Sequence, residues 1–104
     1  MNAYDVAVIG AGPGGYVAAI RAAQLGAKTA VVERWELGGV CLNAGCIPTK
    51  TFIHTAELYR TLHRASEFGI DVGPASINMK ALLKFKEGVI RRNKSGIQTL
   101  FKSH

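Results

Sequence analysis

The sequence predicts an α/β fold in which two parallel strands flank a helix and long helices follow. Three observations favour this class. Residues 4–9 and 28–33 are short, apolar and rich in β-branched side chains, as in strands buried on both faces of a sheet. A glycine-rich turn and a helix-forming stretch separate them. The second half of the chain repeats its apolar side chains at the three-, four- and seven-residue steps typical of helices.

The helix between the two strands has a signal at each end. Pro13 suits the first helical position, because proline has a helix-compatible φ and lacks the N–H that would have no partner there. Residues 17–25 have a helix-forming composition, and Gly26 follows them as a C-terminal cap. Residues 1–36 are therefore predicted to form a β-α-β unit, whose crossover should be right-handed.

Residues 51–104 are predicted to be mostly helical. Before them, glycines cluster around two cysteines in residues 37–50, which should form a loop with unusual backbone conformations. A first helix is expected at about 49–68, and residues 69–74 should form an extended piece and a turn. Asn78 could cap a second long helix. Its apolar residues are Met79, Leu82, Leu83, Val89, Ile90, Ile97, Leu100 and Phe101.

The composition fits one globular domain. The chain has 104 residues, of which 48% are hydrophobic and 19% charged, an ordinary balance that excludes a disordered protein. No apolar stretch approaches the ~18 residues that would suggest a membrane span. The first five residues lead almost directly into an apolar run and leave no room for a signal or transit peptide. We therefore expect a cytoplasmic protein.

The net charge of +6 lies mostly in the second half of the chain. Residues 1–50 carry four basic and three acidic side chains, so the remaining five positive charges belong to residues 51–104. The basic residues there are spread over helical segments without interleaved aromatic side chains or a DNA-binding motif. This pattern favours a solvated face, and we expect neither a nucleic-acid nor a membrane partner.

A phosphate-binding turn is predicted at residues 10–15, which read Gly-Ala-Gly-Pro-Gly-Gly and fit the pattern GxGxxG. The first glycine permits a tight turn, the second lets the backbone approach a pyrophosphate, and the last lets the helix pack closely on the sheet. An acidic residue follows at the end of the second strand, where it can accept hydrogen bonds from ribose hydroxyls. This Rossmann-like unit indicates an adenine dinucleotide without separating FAD from NAD. The candidate ligand-binding residues are Gly10, Gly12, Pro13, Gly14, Gly15 and Glu33.

Cys41 and Cys46 are the only cysteines, spaced as CxxxxC. A zinc site would need more Cys or His ligands nearby than the sequence offers, so we expect no metal. A purely stabilising disulfide would close a very short loop in a reducing compartment. Two interpretations remain: an inert pair of core cysteines, or a pair that cycles between dithiol and disulfide. A regular helix could not bridge this spacing, but Gly45 and Pro48 supply the irregular backbone that a disulfide would need.

Residues 38–50 read Gly-Gly-Val-Cys-Leu-Asn-Ala-Gly-Cys-Ile-Pro-Thr-Lys and resemble the active-site signature of the pyridine nucleotide-disulfide oxidoreductases. These flavoenzymes relay electrons between a nicotinamide and a disulfide. Together with residues 12–26, the ending Cys-Ile-Pro-Thr-Lys looks most like the dihydrolipoamide dehydrogenases of that family. Residues 4–50 carry the match, whereas residues 51–104 agree in helical pattern only.

The resemblance implies roles for individual residues. Cys41 would be the thiol that exchanges with a dithiol substrate, Cys46 the thiol against the flavin of FAD, and Lys50 a cation near the flavin's reactive nitrogen. Arg34, Gly39 and Val40 would also lie at the cofactor. In the family an alcohol side chain usually stands where this chain has Val40, so one pyrophosphate hydrogen bond is left to backbone amides.

Family members are several times longer than this chain, which should therefore hold the N-terminal part of an FAD-binding domain without the NAD and interface domains. The resemblance implies a homodimeric parent enzyme, with NAD as co-substrate, that oxidises dihydrolipoamide within a 2-oxo acid dehydrogenase complex. Two alternatives are open. The parent could be a sibling reductase acting on glutathione-like disulfides or mercuric ion, and the chain by itself could be a non-catalytic nucleotide-binding module.

Overall fold

The computed structural model describes residues 3–104. Two strands, four α-helices and a 3₁₀ helix occur in this part of the chain. In order they are β1 (Val6–Ile9), α1 (Pro13–Gln24), β2 (Thr29–Val32), α2 (Gly39–Ala44), α3 (Cys46–Leu62), the 3₁₀ helix (Ala65–Phe68) and α4 (Met79–Ser103).

The two strands pair in parallel, with Val6 opposite Thr29 and Ile9 opposite Val32. Helix α1 connects them and packs against both. The pairing continues one residue beyond the strands, where the amide of Gly10 donates to the carbonyl of Val32 over 2.7 Å. The predicted β-α-β unit is therefore confirmed, with each strand shorter than its apolar run.

The ends of α1 follow their predicted signals. Pro13 opens the helix, and Gly26 takes a left-handed conformation (φ +93°) just after its end. The first turn of the helix lies so close to the strand that a Cβ on Gly15 would overlap the carbonyl oxygen of Gly10. A glycine is thus required at position 15 for close helix–strand packing, as the sequence predicted.

The prediction that both strands are buried on both faces is wrong for this structure. Ile9 is 90% exposed and Val32 57% exposed. Helix α1 covers part of the sheet, but a sheet of two strands has no flanking strands or second helical layer among the described residues. Apolar side chains of the strands, such as Ile9 and Val32, are therefore exposed to solvent.

Residues 37–50, predicted as a loop, contain two helices instead. Helix α2 has left-handed Gly38 (φ +95°) at its start and ends at Gly45, where α3 begins at once with Cys46. The irregular backbone is confined to the glycines, with Gly45 at φ −129° and ψ −106°. Helix α3 thus starts three residues earlier than the predicted residue 49.

Helices α3 and α4 pack side by side. Helix α3 ends at Leu62, and the 3₁₀ helix that completes the predicted helical stretch is closed by Gly69 at φ +73°. Helix α4 begins as predicted, because the side chain of Asn78 accepts a 3.0 Å hydrogen bond from the amide of Ala81. An ion pair of 2.8 Å between Lys94 of α4 and Glu36 joins this helix to the segment before α2.

The molecule is elongated and its core is small. Its principal extents are 66 × 24 × 18 Å and its radius of gyration is 19.5 Å, against about 13 Å for a compact domain of ~100 residues. The buried apolar side chains are Ala11, Ala19, Leu42, Ala65 and Ile97. This is a partial α/β unit. Among residues 3–104, no helix combines the length and the apolar character that crossing a membrane requires.

Candidate functional site

The glycine-rich turn forms one wall of the candidate site. Gly10 has φ +100°, which lets the chain turn sharply out of β1, and Gly12 lies in extended conformation directly before α1. The first amides of a helix have no intrahelical partner and carry the positive end of its dipole. Those of α1 are therefore donors for an anion in front of the turn.

The backbone at the start of α2 packs directly against this turn. A Cβ on Gly39 (φ +63°) would lie 2.8 Å from the Cα of Gly12. The amide of Gly38 donates to the carbonyl of Ala11 over 2.7 Å and fixes this close approach. We call the backbone of Gly10 to Gly15 together with Gly38 and Gly39 the glycine cradle. Six of its eight residues are glycine, so its surface is mostly backbone that a polar group such as a pyrophosphate can approach.

Glu33, just beyond β2, is oriented by the same turn. Its Oε2 accepts from the amide of Ala11 over 2.8 Å, and its Oε1 accepts from the amide of Trp35 over 3.0 Å. These bonds, that of Ala11 first, lower the pKa of the Glu33 carboxyl from its ordinary value of 4.5. The side chain is thus an ionised acceptor at neutral pH, in the position predicted for a ribose-binding acid.

A disulfide joins Cys41 of α2 to Cys46 of α3. Their Cα atoms are 4.6 Å apart, within the range of disulfides, because the chain changes direction at Gly45 between the two helices. A Cβ on Gly45 would lie 3.1 Å from the carbonyl oxygen of Val40. Glycine therefore allows the two helices to meet closely enough for the bond.

The N-terminal turn of α3 is locally anchored. Pro48 is buried, and the hydroxyl of buried Thr51 donates to the carbonyl of Ile47 over 2.9 Å. Lys50 lies four residues after Cys46 on this helix, so both side chains share one face. The lysine is exposed.

The structure brings some of the predicted site residues together and leaves others apart. The glycine turn, Gly39 and Glu33 meet directly, and the disulfide is joined to them through α2. Pro13 and Gly14 are exposed in the first turn of α1. The side chains of Arg34, Val40 and Lys50 are exposed and have no hydrogen-bond or ion-pair partner within residues 3–104. Their assignment to a cofactor stays a prediction.

One residue that supports the site was missed from the sequence. The side-chain amide of Asn43 donates to the carbonyl of Leu37 over 3.0 Å and to that of Gly39 over 2.9 Å. It therefore fixes the segment that carries Gly38 and Gly39. An asparagine inside a glycine-rich stretch was the available signal, since such side chains bond to nearby backbone groups.

In the described part of the chain, no three side chains of His, Cys, Asp or Glu lie close enough together to hold a metal ion. The groups that the site does offer are backbone amides, one ionised carboxylate and a cystine. A β-α-β unit with a glycine cradle beside a cystine defines the class of dinucleotide-binding disulfide oxidoreductases.

Comparison with known proteins agrees. The family model for pyridine nucleotide-disulphide oxidoreductases matches residues 4–104, and the chain belongs to this family. It is 50% identical over 99 residues to the dihydrolipoyl dehydrogenase of Bacillus subtilis, covering 95% of this chain and 21% of that protein. It is also 50% identical over 103 residues to the enzyme of that name from Chlamydia trachomatis, with 99% and 22% covered.

A eukaryotic relative is equally similar. The mitochondrial dihydrolipoyl dehydrogenase of Schizosaccharomyces pombe is 50% identical over 103 residues, covering 97% of this chain and 20% of that protein. The chain thus spans about a fifth of the length of the curated relatives it matches.

Proposed function

We propose that this chain is part of the FAD-binding domain of a dihydrolipoamide dehydrogenase, which oxidises dihydrolipoamide to lipoamide with NAD as electron acceptor. The observation that carries the proposal is the cystine of Cys41 and Cys46 at the junction of α2 and α3, directly connected to the glycine cradle. The names of the relatives supply the substrate.

The residues present fit the ADP portion of FAD. The pyrophosphate would be held by the amides of the glycine cradle, and a ribose hydroxyl would donate to Glu33. The close approach of Gly39 to Gly12 supports this assignment, since any side chain at either position would project into the cradle or disturb it. Val40, which offers no hydroxyl, leaves the phosphate to backbone donors.

The cystine would act by thiol–disulfide exchange. One thiolate of the dithiol substrate attacks the sulfur of Cys41, forms a mixed disulfide and releases Cys46 as a thiolate. The second substrate thiolate then attacks the substrate sulfur of the mixed disulfide and releases Cys41. The substrate leaves as a cyclic disulfide, and the cysteine pair has gained its two electrons. When bound, FAD supplies the transfer of this electron pair to NAD.

Lys50 would contribute a positive charge near the flavin's reactive nitrogen, the role that the family resemblance implies. One turn from Cys46, the same charge would also favour the thiolate over the thiol. The position of Cys46 at the start of α3 also favours its thiolate, because the helix dipole stabilises a negative charge there. For the whole protein we propose a homodimer that works within a 2-oxo acid dehydrogenase complex in the cytoplasm. These assignments follow from the family resemblance.

The accessibility of the two sulfurs provides the test. In the chain alone Cys46 is exposed and Cys41 half-buried, so alkylation of the reduced chain by iodoacetamide should modify Cys46 first. If FAD lies against Cys46, addition of FAD should reverse the order. Peptide mapping by mass spectrometry gives the two rates. An order that FAD leaves unchanged, in a chain that binds FAD, would contradict the assigned roles of the two cysteines.

A further inference from the structure

Trp35 is the only tryptophan of the chain, and its side chain is 56% exposed. It lies two residues after Glu33, in the segment that connects β2 to α2. We infer that the indole of Trp35 is a stacking platform for the adenine base of the bound dinucleotide. The inference rests on the proposed function and adds to it the residue that recognises the base.

The first support is the position of the Trp35 backbone. Its amide donates to Oε1 of Glu33 over 3.0 Å, while Oε2 of the same carboxylate is bound to the amide of Ala11. The adenine is joined directly to the ribose, so a ribose at this carboxylate places the base within a few ångströms of residue 35. Among the residues attached to Glu33 by hydrogen bonds, Trp35 alone has an aromatic side chain.

The second support is the rigidity of the segment that carries the indole. The amide of Trp35 is itself bound to Glu33, and on the other side the carbonyl of Glu36 accepts from the amide of Gly39 over 3.1 Å. Further along, Asn43 holds the carbonyl of Leu37. Residue 35 thus lies between fixed points, so little backbone entropy is lost when a ligand binds against it.

The third support is the chemistry of the exposed surface. An indole that keeps more than half of its surface in water offers a large π face, and stacking on an aromatic side chain recognises a base without requiring hydrogen bonds. The carboxylate of Glu33 and the amides of the cradle supply no apolar contact for the base. Trp35, whose amide is bound to that carboxylate, would supply one.

Binding of ADP tests the inference, with inorganic pyrophosphate as the matched ligand that lacks a base. Replacing Trp35 by Ala should weaken ADP binding about 5- to 150-fold, the range found when alanine replaces a base-stacking aromatic residue. Pyrophosphate affinity should be unchanged. Trp35→Phe, which keeps a π face, should retain most of the ADP affinity. Calorimetry measures the affinities of the wild type, Trp35→Ala and Trp35→Phe for both ligands. Phe68→Ala is the control at another exposed aromatic residue.

The single tryptophan also gives a direct signal in the unmodified chain. Titration with ADP should quench its fluorescence, whereas pyrophosphate should leave the emission unchanged. ADP that binds without quenching, or with equal affinity to the wild type and Trp35→Ala, would overturn the inference and leave the proposed function intact. If neither ADP nor pyrophosphate binds the wild type, both are overturned. Should Trp35→Ala fail to fold, the quenching and Trp35→Phe still decide the outcome.

Discussion

The backbone amide of Ala11 donates a 2.8 Å hydrogen bond to Oε2 of Glu33 and so joins the glycine-rich turn to the end of β2. Ala11 is fully buried, and its carbonyl accepts from the amide of Gly38. One residue thus connects the phosphate turn, the candidate ribose acceptor and the segment that leads to the disulfide. A substitution in any of these three segments should therefore alter the structure of the other two.

The Glu33 carboxylate should make stability depend on pH. Hydrogen bonds from Ala11 and then Trp35 lower its pKa below 4.5, so its contribution is complete above that value and is lost as the pH falls through the lowered pKa. Glu33→Gln should therefore lower the melting temperature most at pH 6–7. The difference from the wild type should shrink below about pH 4.5. Thermal unfolding followed by circular dichroism from pH 3 to 7 measures it.

Glu57, an exposed carboxylate of α3, provides the control for that experiment. Its replacement by Gln should leave the pH profile of the melting temperature unchanged.

The same pair of positions tests the ligand assignment, since Glu33→Lys should weaken binding of ADP-ribose more than Glu57→Lys. Equal effects of the two charge reversals would count against Glu33 as the ribose acceptor.

The contact between Gly12 and Gly39 predicts different outcomes for three glycine-to-alanine changes. Gly39→Ala adds a Cβ at φ +63°, only 2.8 Å from the Cα of Gly12, and should cost about 1–2 kcal/mol or more in free energy of unfolding. Gly12→Ala meets Gly39 at an ordinary 3.9 Å. It should fold but lose affinity for ADP-ribose. Gly96→Ala in α4 meets nothing within 4 Å and should stabilise by ~0.5–1 kcal/mol.

Urea denaturation and calorimetry separate these effects. Gly96→Ala serves as the control, because it makes the same chemical change on an open helical surface. If Gly39→Ala is as stable as the wild type, the close backbone approach does not hold in solution. If Gly12→Ala binds ADP-ribose normally, the pyrophosphate does not approach the chain at that glycine.

Much of the β-α-β unit could be predicted because its signals are local. Gly10, Pro13 and Gly26 act through their own backbone conformations, and each fixes the chain where it stands. The burial of the strands could not be predicted in the same way. The apolar composition of Ile9 and Val32 reflects the neighbours that a larger sheet would provide, and this structure leaves both side chains exposed.

The sequence named candidate residues for the site, whose roles stay a prediction, and it indicated the local backbone only in part. Glycines at 38, 39 and 45 suggested a loop, whereas helix α2 fits six residues between Gly38 and Gly45. Such a short helix leaves no periodic pattern to detect. Some contacts that assemble the site, such as that of Ala11 with Gly38, join distant segments through backbone atoms alone. Side-chain identity carries little information about contacts of this kind.

The start of α4 should depend on a single hydrogen bond. The side chain of Asn78 accepts from the amide of Ala81 over 3.0 Å. Asn78→Ala leaves that amide without its partner and should cost about 1 kcal/mol, whereas Asn78→Asp, which keeps the acceptor, should be near neutral. Chemical denaturation of both variants checks this. Equal losses in the two would show that the acceptor oxygen is not what stabilises the helix start.

The last prediction concerns catalysis by these 104 residues alone: supplied with FAD, NAD and dihydrolipoamide, they should not turn over the substrate at the rate of a complete flavoenzyme. Electron transfer to NAD requires the nicotinamide to be held in a reactive position, and residues 3–104 contain one glycine cradle, which the proposed function assigns to FAD. From the family resemblance we also expect the base that deprotonates the dithiol, a histidine paired with a carboxylate, to come from the interface domain of a partner subunit. Loss of such a base typically lowers rates by ~10² to 10⁴. The test is a coupled assay of the purified chain, with Cys46→Ser as the control that removes the cystine. Turnover close to that of a complete enzyme, and abolished in Cys46→Ser, would show that this chain already holds every group the reaction needs.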